Sequence, residues 1–257
     1  MLKMPVLLIM GPAGSGKTSL VKTLATYIQS EHVSSPVTTC NLDPGIEDHY
    51  EWTMDIRSRF TLRDIMEQEK LGPNGAMVRG YERLVQHFDA FFSSLEPLED
   101  PSWLLIDTPG QVEPLLFSAS GNALMEKMHY SFPDVTGIFL MPGDMINDPA
   151  HYAFLLMVYA GLSLKVPVEI IQVISKADLI DDDVLPCVQD AKALQERLLS
   201  RKMGEFTEFG MHAIEMMERL IPALHLVFLQ ANAEPATGLD DLFDIINELK
   251  CGCGDLS

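Results

Sequence analysis

Short apolar segments alternate with longer amphipathic segments along the chain. The first, residues 5–10, is a continuous apolar run, as expected of a strand that is buried on both faces of a parallel sheet. Further short segments have the composition of strands, and the amphipathic segments between them predict helices that cover the sheet. The predicted strands are residues 5–10, 37–42, 103–106, 135–141, 168–174 and 226–229.

This alternation predicts an α/β fold, doubly wound around a mostly parallel sheet. One helix is expected over residues 17–29, directly after the first strand, and another over residues 239–249. Four stretches are longer than a simple connection between strands requires, and they predict helical insertions. The insertions fall at about residues 44–100, 112–133, 144–166 and 181–222 of a single domain that spans residues 1–257.

Composition and charge narrow the classes of function. The 257 residues are 47% hydrophobic, which is enough for one well-buried domain. A formal net charge of −19 argues against a broad nucleic-acid-binding surface, because such a surface needs clustered Lys and Arg. The chain shows no apolar run near the roughly 20 residues of a membrane span, and its first apolar segment lacks a signal-peptide cleavage pattern. We therefore expect a cytoplasmic protein without membrane or nucleic-acid partners.

A glycine-rich motif follows the first predicted strand. Residues 11–18 match G-x-x-x-x-G-K-[ST] at every fixed position, between a strand and a helix as the motif requires. Glycines let main-chain N–H groups face phosphate oxygens, and the helix N-terminus adds partial positive charge. Lys17 is expected on the β- and γ-phosphates, and Thr18 on Mg²⁺. The motif predicts a P-loop NTPase fold with nucleotide bound by Gly11, Pro12, Ala13, Gly14, Ser15, Gly16, Lys17, Thr18 and Ser19.

A second motif, Asp107-Thr108-Pro109-Gly110-Gln111, follows the third predicted strand. An aspartate at the end of a strand beside the P-loop strand is the usual second anchor for Mg²⁺. We predict that Asp107 and Thr18 hold the metal and that the N–H of Gly110 reaches the γ-phosphate. Gln111 stands where Ras-like GTPases carry the glutamine that orients water, but a solvent-facing turn residue fits the pattern equally well.

A third motif, Ser175-Lys176-Ala177-Asp178, follows the fifth predicted strand and resembles the [N/T]-K-x-D box that reads guanine. The Asp178 carboxylate can accept two hydrogen bonds from guanine, whereas adenine lacks this donor pair and would leave a buried carboxylate unpaired. Lys176 is expected to lie along the base, and Ala231 occupies the position of a further base-contacting loop. The sequence therefore predicts GTP as the nucleotide, with an ordinary strand-end loop as the alternative.

Several segments resemble one family, the GPN-loop GTPases. They are Asn41-Leu42-Asp43-Pro44-Gly45, Asp55-Ile56-Arg57, Gly72-Pro73-Asn74 and residues 107–113. The resemblance extends from about residue 4 to residue 249, and it is greatest to archaeal members. The order of the three nucleotide motifs along the chain agrees with it.

The resemblance implies an Mg²⁺-dependent GTPase that forms a homodimer with facing nucleotide sites. It implies that the loop of Gly72, Pro73 and Asn74 reaches the phosphates bound by the partner subunit, where Asn74 acts in trans. Without the resemblance, the same residues indicate only a turn. Asp43, Gln111 and Glu113 could each position the attacking water, and the choice among them stays open. The predicted catalytic residues are Asn74, Asp43, Gln111, Glu113 and Lys17.

Two other functions also fit the sequence. The first is a nucleotide-dependent assembly factor for a client protein complex such as RNA polymerase, in which hydrolysis is only a timer; the resemblance implies it, since eukaryotic members are linked to that assembly. The second is an ATP-using kinase with the same P-loop, whose acceptor pocket would need several arginines. The available arginines are Arg57, Arg59, Arg63, Arg79 and Arg83, although scattered arginines more often pair with surface carboxylates.

Overall fold

The computed structural model describes residues 4–31, 36–93, 95, 102–200, 210–212, 214–215, 226–231 and 236–252. They contain a seven-stranded sheet in which every pair of neighbouring strands is parallel. The strands are β1 (Val6–Met10), β2 (Val37–Asn41), β3 (Met54–Asp55), β4 (Trp103–Asp107), β5 (Val135–Pro142), β6 (Glu169–Ser175) and β7 (Leu226–Leu229). Their order across the sheet is β3-β2-β4-β1-β5-β6-β7. The predicted α/β fold with a parallel sheet is confirmed.

Six of the strands lie close to their predicted bounds, but the edge strand β3 was not predicted. It consists only of Met54 and Asp55, which pair with Cys40 and Asn41 of β2. Two residues are too few to show a hydrophobic period, so the pattern of the sequence gives no signal there.

Helices fill the connections between the strands. They are α1 (Lys17–Glu31), α2 (Leu62–Glu69), α3 (Pro73–Phe92), α4 (Glu113–Phe117), α5 (Ala119–Ser131), α6 (Gly143–Ile146), α7 (Pro149–Lys165), α8 (Leu185–Gln189), α9 (Ala191–Ser200) and α10 (Leu239–Gly252). Each of the four predicted insertions contains helices. In the insertions at 44–100 and 181–222, residues 94, 96–100, 201–209, 213 and 216–222 lie outside the described residues. No helix of the described part is long and apolar enough to cross a membrane.

Two hydrophobic clusters cover the two faces of the sheet. Successive residues of β1 point to opposite faces, so Leu7 and Ile9 join one cluster while Val6, Leu8 and Met10 join the other. The first cluster contains the apolar faces of α1 and α10. The second contains those of α3, α5, α7 and α9. Because helices cover both faces, β1 is apolar throughout and its neighbours β4 and β5 are mostly apolar, as the first predicted strand suggested.

The start of α3 explains the position of the Gly-Pro-Asn segment. Helix α2 begins with a capping box between Thr61 and Asp64 and ends at Lys70, whose φ of 54° turns the chain out of the helix. Gly72 is then the N-cap of α3, and Pro73 occupies its first turn, where no N–H is needed. The segment is therefore the N-terminus of a long helix rather than a free turn. Gly72, Pro73 and Asn74 are all exposed.

Candidate nucleotide site

Because the strands are parallel, their carboxyl ends meet at one edge of the sheet. The P-loop follows β1, Asp43 follows β2, and Asp107 is the last residue of the neighbouring strand β4. The third motif follows β6, and Ala231 follows β7. Motifs that are far apart in the sequence thus converge on one crevice, where open α/β sheets commonly bind ligands.

The P-loop backbone depends on its glycines. Gly11, Gly14 and Gly16 have φ values of 149°, 74° and 90°, which side chains with a Cβ rarely adopt. A Cβ on Gly11 would also lie 2.8 Å from both the Leu140 carbonyl oxygen and the Ser15 Oγ. The loop can therefore close tightly against β5, and α1 begins at its end.

Lys17 lies against the loop from which it arises. Its side chain is buried, and Nζ donates hydrogen bonds to the carbonyl oxygens of Gly11 at 3.1 Å and Pro12 at 3.0 Å. Burial lowers the pKa of Lys17, while the charges of Asp107 and Asp43 act in the opposite direction. A buried ammonium held this way gives the crevice a fixed positive charge.

Thr18 and Asp107 form a direct pair at the base of the crevice. The Thr18 hydroxyl donates to Asp107 Oδ2 at 2.6 Å, which confirms that β4 brings this carboxylate to the P-loop. Burial raises the pKa of Asp107 to about 7, although Thr18 and Lys17 oppose the shift. The other oxygen, Oδ1, is buried and has no hydrogen-bond partner in the described part of the chain. A buried, half-satisfied carboxylate is an unfavourable arrangement unless another ligand completes it.

Asp43 joins the segment after β2 to the segment after β4. Its Oδ1 accepts the N–H of Gly45 at 2.8 Å, and its Oδ2 accepts the N–H of Gly110 at 3.0 Å. Asn41 fixes this turn, since its side chain accepts the Asp43 N–H and donates to the Asp43 carbonyl. Burial raises the pKa of Asp43, while the two amides, Lys17 and Arg57 act against the rise.

Arg57 holds the loop that follows Asp43. Its Nε and Nη2 donate to the Asp55 carboxylate, and its Nη1 donates to the carbonyls of Ile46 at 3.1 Å and Asp48 at 3.3 Å. Asp48 in turn forms ion pairs with Arg57 at 3.2 Å and with Lys22 of α1 at 3.3 Å. The loop is therefore tied to both the edge strand and the P-loop helix.

The third motif also lies at the crevice. The Ser175 hydroxyl donates to the carbonyl of Ser15 at 2.7 Å, so β6 is joined directly to the P-loop. Lys176 has a φ of 52°. A Cβ on Gly143 would lie only 2.3 Å from the carbonyl oxygen of Lys176, so the two segments approach closely there. Asp178 lines the crevice but is exposed, so the expectation of a buried carboxylate at this position is wrong for this chain. Ala231 is fixed nearby, because its carbonyl accepts the Thr23 hydroxyl at 3.3 Å.

These residues surround one cavity of about 700 Å³. Most of the residues predicted from the sequence line it: Ala13, Gly14, Ser15, Gly16, Lys17, Thr18, Ser19, Asp43, Asp107, Gly110, Ser175, Lys176, Asp178 and Ala231. Among the described residues that line it are also five that the sequence reasoning missed: Leu20, Ile46, Leu179, Leu229 and Gln230. Their proximity in sequence to the first and third motifs, to Asp43 and to Ala231 was the available signal. Gly11 and Pro12 contribute carbonyls to Lys17 from behind this wall.

Other predicted residues do not reach the cavity of their own chain. Gln111 is exposed, and Gly72, Pro73 and Asn74 are exposed at the start of α3. Glu113 is the first residue of α4, and its side chain lies outside what the structure describes.

Comparison with known proteins agrees with this geometry. A family described as "Conserved hypothetical ATP binding protein" matches residues 9–252. The GPN-loop GTPase PAB0955 of Pyrococcus abyssi is 30% identical over 259 residues, covering 98% of this chain and 100% of the relative. The chain belongs to the GPN-loop GTPase family. The resemblance seen in the sequence is thereby confirmed.

Structural comparison and a second relative support the same family. The crystal structure of PAB0955, described as a GTPase in apo form, has a TM-score of 0.77 and 28% identity, covering 96% of this chain and 98% of that one. GPN-loop GTPase 3 of Yarrowia lipolytica is 33% identical over 181 residues, which are 69% of this chain and 65% of the relative.

The helix that begins with the GPN loop contacts the segments that follow β2 and β4. The Tyr81 hydroxyl of α3 donates to the carbonyl of Gln111 at 3.0 Å. A Cβ on Gly80 would lie 3.5 Å from the ring of Pro44, and the Pro44 carbonyl accepts the N–H of Leu62. The exposed GPN loop is therefore joined to the cavity through the body of α3.

The arginines do not form an acceptor lid. None of the five lines the cavity in the described part of the chain. Arg63, Arg79 and Arg83 form ion pairs with glutamates of α2 and α3. This arrangement disfavours the kinase hypothesis.

Proposed function

We propose that this chain is an Mg²⁺-dependent GTPase that converts GTP and water to GDP and phosphate. The main support for this proposal is that residues of the P-loop, the Thr18–Asp107 pair and the Ser175–Asp178 segment all line one cavity. The names of its relatives agree with this activity. Hydrolysis breaks the bond between the γ-phosphorus and the β–γ bridging oxygen, and water supplies the new oxygen.

The P-loop supplies the phosphate contacts in this proposal. Its positive-φ glycines leave main-chain N–H groups free of shielding side chains, and the N-terminus of α1 adds its dipole. Lys17 exchanges its hydrogen bonds to Gly11 and Pro12 for phosphate oxygens. Loose phosphoryl transfer needs this kind of charge stabilisation and positioning more than a strong base.

The donor set at the base of the cavity fits Mg²⁺. Thr18 Oγ1 and the unpartnered Oδ1 of Asp107 are hard oxygen donors, which this ion prefers. Within the described residues, no group of three or more His, Cys, Asp or Glu side chains could hold a metal alone. Thr18 would bind the ion directly and Asp107 through water, with phosphate oxygens completing the shell. Bound there, Mg²⁺ would neutralise charge on the β- and γ-phosphates.

Asp178 supplies the preference for guanine over adenine. Asp178 lines the cavity together with Lys176, Ala231 and the P-loop residues. A carboxylate accepts two hydrogen bonds from guanine but finds no donor pair on adenine. This reasoning favours GTP over the ATP named in the family description.

The proposal includes a homodimer in which the GPN loop acts in trans. Asn74 is exposed at the tip of α3 and does not line its own cavity, so its amide is available to a second subunit. Its side-chain donors would stabilise the γ-phosphate or the departing phosphate of the partner's nucleotide. The link from α3 to Gln111 and Pro44 offers a route by which loss of the γ-phosphate rearranges the helices.

The test is phosphate release from GTP and from ATP in the presence of Mg²⁺. We expect GTP to be hydrolysed in preference to ATP, and Lys17→Ala to abolish turnover. Asp178→Asn should weaken GTP binding, at least about tenfold, and shift the preference to xanthosine triphosphate, because the asparagine amide can donate to the xanthine carbonyl. Asp182→Asn, an exposed change in the same segment, is the control. Preferred hydrolysis of ATP would contradict the proposal.

A further inference from the structure

Several groups favour the ionised form of the Asp43 carboxylate, although burial outweighs them and raises its pKa. Two main-chain N–H groups point at it, from Gly45 at 2.8 Å and from Gly110 at 3.0 Å. The positive charges of Lys17 and Arg57 act on it as well. Paired amides with nearby cations form the kind of nest that binds phosphate oxygens in other sites.

Gly110 is the amide that the proposed function needs for the γ-phosphate. It faces the P-loop closely, since a Cβ on Gly110 would lie 3.9 Å from the Cα of Ala13 and 3.7 Å from Asp43 Oδ2. One N–H cannot make two full hydrogen bonds to two separate anions. A γ-phosphate on Gly110 and the observed Asp43 contact therefore exclude each other.

We propose that the Asp43 carboxylate takes the place of the γ-phosphate on Gly110 when no triphosphate is bound, and thereby sets the preference between GTP and GDP. This inference rests on the proposed function and adds a residue that distinguishes the two nucleotides. GDP leaves the Asp43–Gly110 contact intact. GTP must displace the carboxylate, which weakens GTP binding relative to GDP and frees the carboxylate beside the γ-phosphate, where water attacks.

The network around Asp43 is suited to such an exchange. Asn41 holds the main chain at Asp43 on both sides, so the carboxylate can rotate away without moving β2. The loop beyond it stays anchored because Arg57 binds the carbonyls of Ile46 and Asp48. The exchange therefore requires motion of one side chain and of Gly110 rather than unfolding of the loop.

The experiment compares the affinities of the full-length protein for a non-hydrolysable GTP analogue and for GDP, both with Mg²⁺. Asp43→Asn removes the charge and Asp43→Ala removes the whole acceptor. Both should raise the analogue-to-GDP affinity ratio by about tenfold. Glu47→Gln is the matched control, because it removes one charge from an exposed position in the same loop, and it should leave the ratio within about twofold.

Several outcomes would overturn the inference while leaving the proposed function intact. One is an unchanged analogue-to-GDP affinity ratio in both Asp43 variants. Another is weaker binding of the analogue by these variants. The third is an equal shift of the ratio in Glu47→Gln. A rise in Asp43→Asn alone would assign the effect to the new amide donor and would also overturn it. Failure of the unmodified protein to bind either nucleotide would instead overturn the proposed function. If one Asp43 variant fails to fold, the other carries the comparison.

Discussion

The hydroxyl of Tyr81 donates a hydrogen bond to the carbonyl oxygen of Gln111 at 3.0 Å. Tyr81 is a buried residue of α3, the helix that begins with the GPN loop, and Gln111 directly follows Gly110. The contact joins the middle of this helix to a segment that lines the cavity. The hydrogen bond is therefore a direct contact through which a movement at Gly110 can reach α3.

Tyr81→Phe tests this link. Loss of a single neutral hydrogen bond should lower the free energy of unfolding by about 1 kcal/mol, because the ring still fills its site. If the link positions the GPN loop, kcat should fall while the affinity for GTP stays close to normal. Denaturant unfolding and steady-state kinetics provide the two measurements. Tyr130→Phe, at a tyrosine that is 76% exposed, is the control and should change neither quantity. A normal kcat in Tyr81→Phe would show that the contact is structural only.

Arg57→Lys should loosen the loop that carries Ile46 and Asp48. A lysine ammonium cannot reproduce the planar set of donors that Arg57 directs to Asp55 and to two carbonyls. We expect the free energy of unfolding to fall by about 1–3 kcal/mol. Chymotrypsin should also cleave faster at Tyr50 or Trp52 within this loop. Arg63→Lys, at an arginine that is 86% exposed, is the control. Equal protection of the loop in both variants would rule out the anchoring role of Arg57.

The buried Asp107 predicts a pH dependence of stability in the ligand-free protein. Its pKa rises from 3.8 to about 7 on folding, so between these values the folded state binds more protons than the unfolded state. The stabilisation that the protonated Asp107 side chain gives the folded state, relative to the ionised side chain, is complete below about pH 4. It is lost as the pH rises to about 7. About three pH units at about 1.4 kcal/mol each give an effect of up to about 4 kcal/mol.

Urea unfolding at pH 5 and pH 7 measures this effect as a difference between the natural protein and Asp107→Asn. Taking the difference cancels the carboxylates that do not interact with Asp107, including Asp55, whose pKa is held low on balance because the hydrogen bonds from Arg57 and Asn41 outweigh its burial. The variant should gain stability relative to the natural protein as pH rises. Saturating Mg²⁺ and GDP should reduce the gain, since a bound cation favours the ionised carboxylate. A difference that is constant between pH 5 and pH 7 would contradict the prediction.

The sequence predicted the parts of the site that follow from local patterns. The P-loop, the Asp107 strand end and the Ser175–Asp178 segment each lie next to an apolar strand, so fold and chemistry are encoded together there. The Asp43–Gly110 contact joins residues 67 positions apart, and no local pattern encodes it. The sequence did not identify Leu179 and Ile46 as cavity-lining residues. Which side chains line a cavity depends on how loops pack against one another in the folded chain. Without the family resemblance, Gly and Asn in the GPN segment indicate only a turn, although Pro73 before an amphipathic stretch also predicts a helix start.

Action of Asn74 in trans predicts rescue between two inactive variants. An Asn74→Ala subunit retains a complete cavity, and a Lys17→Ala subunit retains a normal Asn74. In a mixed dimer, the cavity of the first subunit meets the Asn74 of the second. Random pairing at equal amounts gives half mixed dimers with one complete site each, so activity should recover to about a quarter of the natural value.

The control for this mixing experiment is Lys17→Ala with Asp178→Asn. Both residues line the cavity of their own chain, so no mixed dimer contains a complete GTP site, and GTP hydrolysis should stay at the level of the separate variants. Rescue in both mixtures would indicate subunit stabilisation rather than a shared site. Absence of rescue with Asn74→Ala, under conditions where mixed dimers are shown to form, would mean that Asn74 acts within its own subunit or only supports the start of α3. The exposed position of Asn74 makes the first result the expected one, because a side chain that does not line its own cavity needs a second subunit to reach a phosphate.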